Sequence, residues 1–98
     1  MTVTEYISER DELNIKFKEC ETPYCVELSG GITIEFDQED NLSNIVLPNF
    51  FQMIHKQPTQ NINIEYDHAF FEDHILTLVL KMQQQSINVK IDLSAIDK

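Results

Sequence analysis

The sequence predicts a mainly β domain of the α+β class, an antiparallel sheet or meander of about six to seven strands with one short helix near residues 49–57. Three observations predict it. On either side of Gly30-Gly31, apolar and polar residues alternate, with Tyr24, Val26 and Leu28 before the pair and Ile32, Ile34 and Phe36 after it. Period-2 alternation gives each face of a strand its own chemistry, and glycine reaches positive φ without steric cost, so this is a hairpin signal. Residues 75–80, ILTLVL, are apolar on both faces, as a central strand covered on both sides would be. Between Pro48 and Pro58, finally, Phe50, Phe51, Met53 and Ile54 fall on one face of a short helix.

The elements follow in order. Val3 and Tyr6 suit a brief edge strand before the polar turn Ser8-Glu9-Arg10-Asp11. Leu13, Ile15 and Phe17 alternate with polar neighbours as a half-buried strand, and residues 19–23 form a loop in which Pro23 has no N–H for a ladder. After the Gly30-Gly31 hairpin, Gln38-Glu39-Asp40-Asn41 reverses the chain into residues 42–47. The helix is too short to stand alone and must dock, with Phe50, Phe51 and Ile54 expected on the face carrying Ile32, Ile34, Ile62 and Ile64. Residues 62–80 read as a longer echo of 32–47, an internal duplication within a single domain 1–98. The polar run Gln83-Gln84-Gln85-Ser86 turns the chain into a strand in which Ile87, Val89, Ile91 and Leu93 alternate cleanly. Residues 94–98 read as a frayed end or a single helical turn.

One stretch carries a family resemblance. Tyr6, Glu9, Asp11, Leu13 and Ile15 spell Y-x-x-E-x-D-x-L-x-I, Val26-Glu27-Leu28 and the GITIEFD of residues 31–37 supply two further strands, and residues 41–45 a last one. Over residues 6–47 the chain resembles a family of small, uncharacterised prokaryotic β-proteins classed as a domain of unknown function. It departs from that family's usual glycines with Asp40 in the turn and Asn44 in the next strand. Asp and Asn tolerate left-handed backbone best after glycine, so the turn and a bulge can survive. The resemblance implies a strand meander and brings no catalytic residues with it.

Charge bounds the function. Seventeen carboxylates against seven Lys and Arg give a net charge of −10. Residues 19–80 hold eleven of those carboxylates and a single base, Lys56. Nucleic acid and anionic membrane both require a basic surface, so neither is expected as a direct partner. The N-terminal MTVTEYISERDE is acidic and lacks an apolar export segment, and no apolar run nears the roughly 20 residues of a membrane span, so a cytoplasmic setting is expected.

Candidate chemistry is sparse. Cys20 and Cys25 in CETPYC are too few for structural zinc and, in a reducing compartment, are expected to stay thiols. The cluster Asp67, His68, Glu72, Asp73 and His74 has metal-ligand types, but its spacing matches no H-E-x-x-H-like signature. It reads more simply as an acidic loop with Phe70 and Phe71 closing over the core. The DQEDN of residues 37–41 lacks the alternating ligands, central glycine and distal Glu of a calcium loop. No phosphate loop or nucleophile motif is present, so neither catalysis nor a cofactor is expected.

Two function classes remain. The preferred one is a non-catalytic acidic protein that meets a basic protein partner, as an antitoxin, a nuclease inhibitor or a nucleic-acid mimic does. Its contact face is expected at Glu35, Asp37, Glu65 and Asp67, continued by Glu39, Asp40, Glu72 and Asp73 in the turns. If the two strands share a sheet, the first four project together, and amides there relieve repulsion and slow association. The rival is a metal-binding protein or metal-dependent hydrolase using residues 67–74. Open sheet edges add the expectation of a homodimer.

Overall fold

Alternating side chains become strands where one face can be buried, and the computed structural model, which describes residues 2–57 and 63–94, is mainly strand. The chain forms two compact units, Met1–Pro58 and Thr59–Lys98.

The first unit holds β1 (Val3–Ile7), β2 (Glu12–Lys16), β3 (Tyr24–Glu27), β4 (Thr33–Phe36) and β5 (Leu42–Leu47). Its sheet runs in the order β1-β2-β5-β4-β3, antiparallel throughout. The meander over β3, β4 and β5 therefore forms as the alternation predicts, and β2 returns to pair with β5, which makes a Greek key. In register, Ile15 and Ile34 flank Ile45, and Leu13 faces Leu47. All five are fully buried and share one face. The opposite face carries Glu5, Asn14, Lys16, Asn44 and Glu35.

The turns explain the joints. Gly30 and Gly31 both lie at φ 82, and a Cβ on Gly31 would also come within 3.3 Å of Pro48 Cγ. Asp40 takes φ 65, a left-handed conformation that Asp tolerates better than most residues. Glu35 pairs Asn44 while Phe36 pairs Leu42, so Ser43 is an extra, bulged residue beside Asn44. The Ser43 carbonyl accepts the N–H groups of Phe17 at 2.9 Å and Lys18 at 3.3 Å.

The helix α1 (Phe50–Met53) is shorter than residues 49–57. Asn49 at φ 53 delays its start, and its end is a Schellman motif. His55, at φ 59, donates to the Gln52 carbonyl and Lys56 to that of Phe51. A left-handed histidine thus ends the helix before Pro58, which lies outside the described residues. The rings of Phe50 and Phe51 are buried and pack on Tyr6, at centroid distances of 6.3 and 5.3 Å. Of the face expected beneath the helix, Ile34 is buried in this sheet, Ile64 belongs to the second unit, and Ile62 lies outside the described residues.

The second unit is a three-stranded antiparallel sheet of β6 (Ile64–Glu72), β7 (Ile75–Met82) and β8 (Gln85–Asp92) in that order. The apolar run is its central strand. Leu76, Leu78, Leu80 and Met82 are buried on one face, and Thr77 and Val79 on the other. Among the described residues eight strands form, in two antiparallel sheets, in keeping with the expected mainly β fold of about six to seven strands. The hairpins proposed as a duplication are β4–β5 and β6–β7. They differ in loop length, with five residues against two, yet Asp40 and Asp73 are both left-handed.

Both hairpins of this sheet close through two-residue loops with positive φ at both positions, Asp73-His74 at 52 and 70, and Gln83-Gln84 at 53 and 68. That is the type I′ pattern, which Asn-Gly fits best. Left-handed backbone costs a residue such as glutamine about 1 kcal/mol. The double substitution Gln83→Asn, Gln84→Gly is expected to stabilise by about 1 kcal/mol and raise the thermal midpoint by roughly 4–8 °C. A midpoint that falls would show this turn to be held by contacts of the glutamines.

Candidate interaction surface

The eight carboxylates expected on one contact face are divided between the two units, four in each. Glu35 lies in the five-stranded sheet and Glu65 in the three-stranded one, so the shared sheet on which that face depended is not formed. Glu35 is half-buried, between Cys25 and Asn44 in register.

Asp37 is not a surface group. It is 7% exposed, because β4 ends at Phe36 and the carboxylate turns in to cap the following loop. Its Oδ1 accepts the N–H groups of Glu39 and Asn41 at 2.9 Å each, and its Oδ2 accepts from Lys18 Nζ at 2.5 Å. The Lys18 ammonium first, then the Asn41 and Glu39 amides, hold its carboxyl down to about 2. Folding lowers this pKa, so the stabilisation is complete above roughly pH 4–5 and is lost as the pH falls towards 2. Asp37→Asn should therefore lower stability at neutral pH and flatten the acid limb of the stability profile, read as urea midpoints between about pH 2 and 7. A gain in stability on amide substitution is no longer expected at this position. An unchanged acid limb would show that the ion pair does not stabilise the fold.

Glu39 and Asp40 are exposed in the turn, where Asp40 accepts the Tyr24 hydroxyl and Tyr24 stacks on Phe36 at 5.4 Å. That contact, with burial, raises the Tyr24 pKa. Some carboxylates beside this sheet are paired within the unit. Glu12 accepts from Arg10 at 3.2 Å and Asn14 at 3.0 Å, and Glu19 from Lys16 at 3.2 Å.

The remaining four gather on one element. Glu65, Asp67 and Glu72 stand on β6 and Asp73 in the turn that ends it, all exposed. Glu65 faces Lys81 in register. The register shifts between Tyr66 and His68, so Asp67 is a bulged residue and the side-chain phase changes there. Beyond the bulge, His68, Phe70 and Glu72 share the face of Thr77 and Val79, and Ala69 and Phe71 that of Leu76 and Leu78. His68 stacks on Phe70 at 6.1 Å, and its Nδ1 lies 3.4 Å from the Asp67 carboxylate.

Residues 66–74 are thus strand and tight turn instead of a loop. Phe70 and Phe71 do not close over the core; they are 45% and 61% exposed. A signal for this was present, since adjacent residues on a strand point to opposite faces and two neighbouring rings cannot enter one core. As for the metal reading, His68 and Asp67 come together, but among the described residues no group of three or more His, Cys, Asp or Glu is placed to hold an ion. Cys20 and Cys25 are separate thiols, half-buried and exposed. Among the described residues no helix is long and apolar enough to cross a membrane.

The chain matches no protein-family model, no curated protein and no solved structure.

Proposed function

We propose that this is a non-catalytic, acidic interaction protein whose partner is a basic protein, acting in the manner of an antitoxin, a nuclease inhibitor or a nucleic-acid mimic. The observation that carries the reading is β6, where two exposed phenylalanine rings stand among Asp67, Glu72 and Asp73. Aromatic anchors with a charged rim are the usual composition of a protein contact. Carboxylates in that rim accelerate and orient the approach of a basic partner more than they tighten the final complex. A cytoplasmic setting and a family tie through the Y-x-x-E-x-D-x-L-x-I stretch belong to the same proposal.

The test is capture from a cell extract on the immobilised chain, compared with a variant carrying Glu65→Gln, Asp67→Asn, Glu72→Gln and Asp73→Asn. A basic protein should be retained by the native chain, released by salt, and associate more slowly with the variant, most visibly at low ionic strength. Equal association by both chains would mean that the carboxylates serve solubility alone. The metal alternative is separated by calorimetric titration with Zn²⁺ or Mn²⁺, where tight binding lost in His68→Ala would overturn the interaction reading.

A further inference from the structure

We infer that the partner is taken as an extended segment of alternating basic and apolar residues, added as a fourth strand along residues 67–72 of β6. The inference rests on the interaction reading above and gives its partner a form. The pair that closes a two-residue hairpin exchanges both of its hydrogen bonds, so Glu72 spends its backbone groups on Ile75. Along an antiparallel ladder the next residue turns its N–H and C=O away. Phe71 opposite Leu76 and Ala69 opposite Leu78 therefore present donors and acceptors outward, on a strand whose neighbour in the sheet, among the described residues, is β7 alone.

Side-chain chemistry selects the occupant. Natural edges are blunted with lysine or proline, and residues 67–72 contain neither. One face of an added strand would lie beside Phe70 and Glu72, where a Lys or Arg stem covers the ring and its charge reaches the carboxylate. The other face would lie beside Ala69 and Phe71, which favours an apolar residue. A second copy fits less well. An antiparallel copy centred on Phe70 sets Asp67 opposite Asp73 of the second copy, and one centred on Ala69 sets Glu65 there. Each register opposes like charges, on chains that carry −10 each.

The probe is the blocked peptide Lys-Val-Lys-Val-Lys-Val, titrated into the ¹⁵N-labelled full chain at low salt. Saturable binding that weakens with salt is expected, with slowed hydrogen exchange at the Ala69 and Phe71 amides. Ala69→Pro removes an outward donor and leaves the β6–β7 ladder intact, so it should weaken binding about tenfold or more. The triple variant Asp67→Asn, Glu72→Gln, Asp73→Asn should slow association. If Ala69→Pro does not fold, the peptide N-methylated at alternate residues replaces it and should not bind. Binding that survives the backbone changes but fails in the triple variant overturns strand addition and leaves the electrostatic reading standing. Binding insensitive to all of these overturns both. No saturable binding by the native chain overturns strand addition, as does protection of Ala69 and Phe71 that rises with protein concentration without peptide, which would assign the edge to a second copy.

Discussion

Phe50→Ala is expected to lower stability by about 3–5 kcal/mol, the range for truncating a fully buried aromatic ring. A four-residue helix has no independent stability, since nucleation alone exceeds what so few hydrogen bonds return. What keeps α1 in place is its rings. Phe50 is fully buried, meets Phe51 edge-on at 5.5 Å and lies 6.3 Å from Tyr6. The cavity left by alanine cannot be filled by sliding a helix this short. Urea midpoints at unchanged slope measure the effect, and Phe50→Leu should recover more than half of it. A loss under about 1 kcal/mol would mean that the helix is an ornament on a self-sufficient sheet.

Asp11→Ala is expected to cost about 2–3 kcal/mol, because one carboxylate ties β1 to α1 from the turn between β1 and β2. It accepts the Tyr6 hydroxyl at 2.7 Å and the Phe51 N–H at 3.1 Å, while the Asp11 carbonyl accepts the Phe50 N–H at 2.9 Å. Its own backbone is left-handed at φ 48, which suits Asp or Asn and strains alanine. Asp11→Asn keeps the backbone and an acceptor, so it should cost about 1 kcal/mol. A second readout separates this hub from general damage. Burial, then the Asp11 contact, push the Tyr6 hydroxyl up to about 12. In a folded Asp11→Ala chain that tyrosine should titrate lower, visible in the alkaline phenolate absorbance. An unmoved titration, or equal losses for alanine and asparagine, would contradict the role given to the carboxylate.

The alternation of residues 24–47 made the meander legible, and the apolar run at 75–80 marked its strand as central, since both signals depend on side chains close in sequence. The unread parts depend on backbone or on distance. Asp73-His74 and Gln83-Gln84 adopt a turn usually announced by glycine, and nothing in their side chains declares it. The bulge at Asp67 shifts the side-chain phase, so a simple count of two placed Glu65 and Asp67 on a common face that the strand does not keep. Asp37 looked outward by the same count, but its partner Lys18 is nineteen residues away and the strand stops one residue before it. Of the candidate site, the acidity of residues 65–73 was readable, and the exposure of Phe70 and Phe71 was not read although their adjacency implied it. Asp11 appeared in a motif without a role; its role depends on a helix forty residues further on.

The Greek-key order also imposes a sequence of events in time. Among the described residues five of the six strand pairings join neighbours in the chain, and each can zip from its own turn. The exception is β2 with β5, whose partners run from Lys16 and Asn44 to Leu13 and Leu47, separations of 28 and 34 residues. Closing a loop of about thirty residues costs roughly 1.5 kcal/mol more than closing one of five. Until that contact forms, β1–β2 and β3–β5 are separate flaps with half-exposed Ile15 and Ile45 rows, and the chain lacks its largest sheet. The slow step in making this unit is thus expected to be the meeting of β2 with β5, a contact held in the native fold by the Ser43 carbonyl and the Lys18–Asp37 pair.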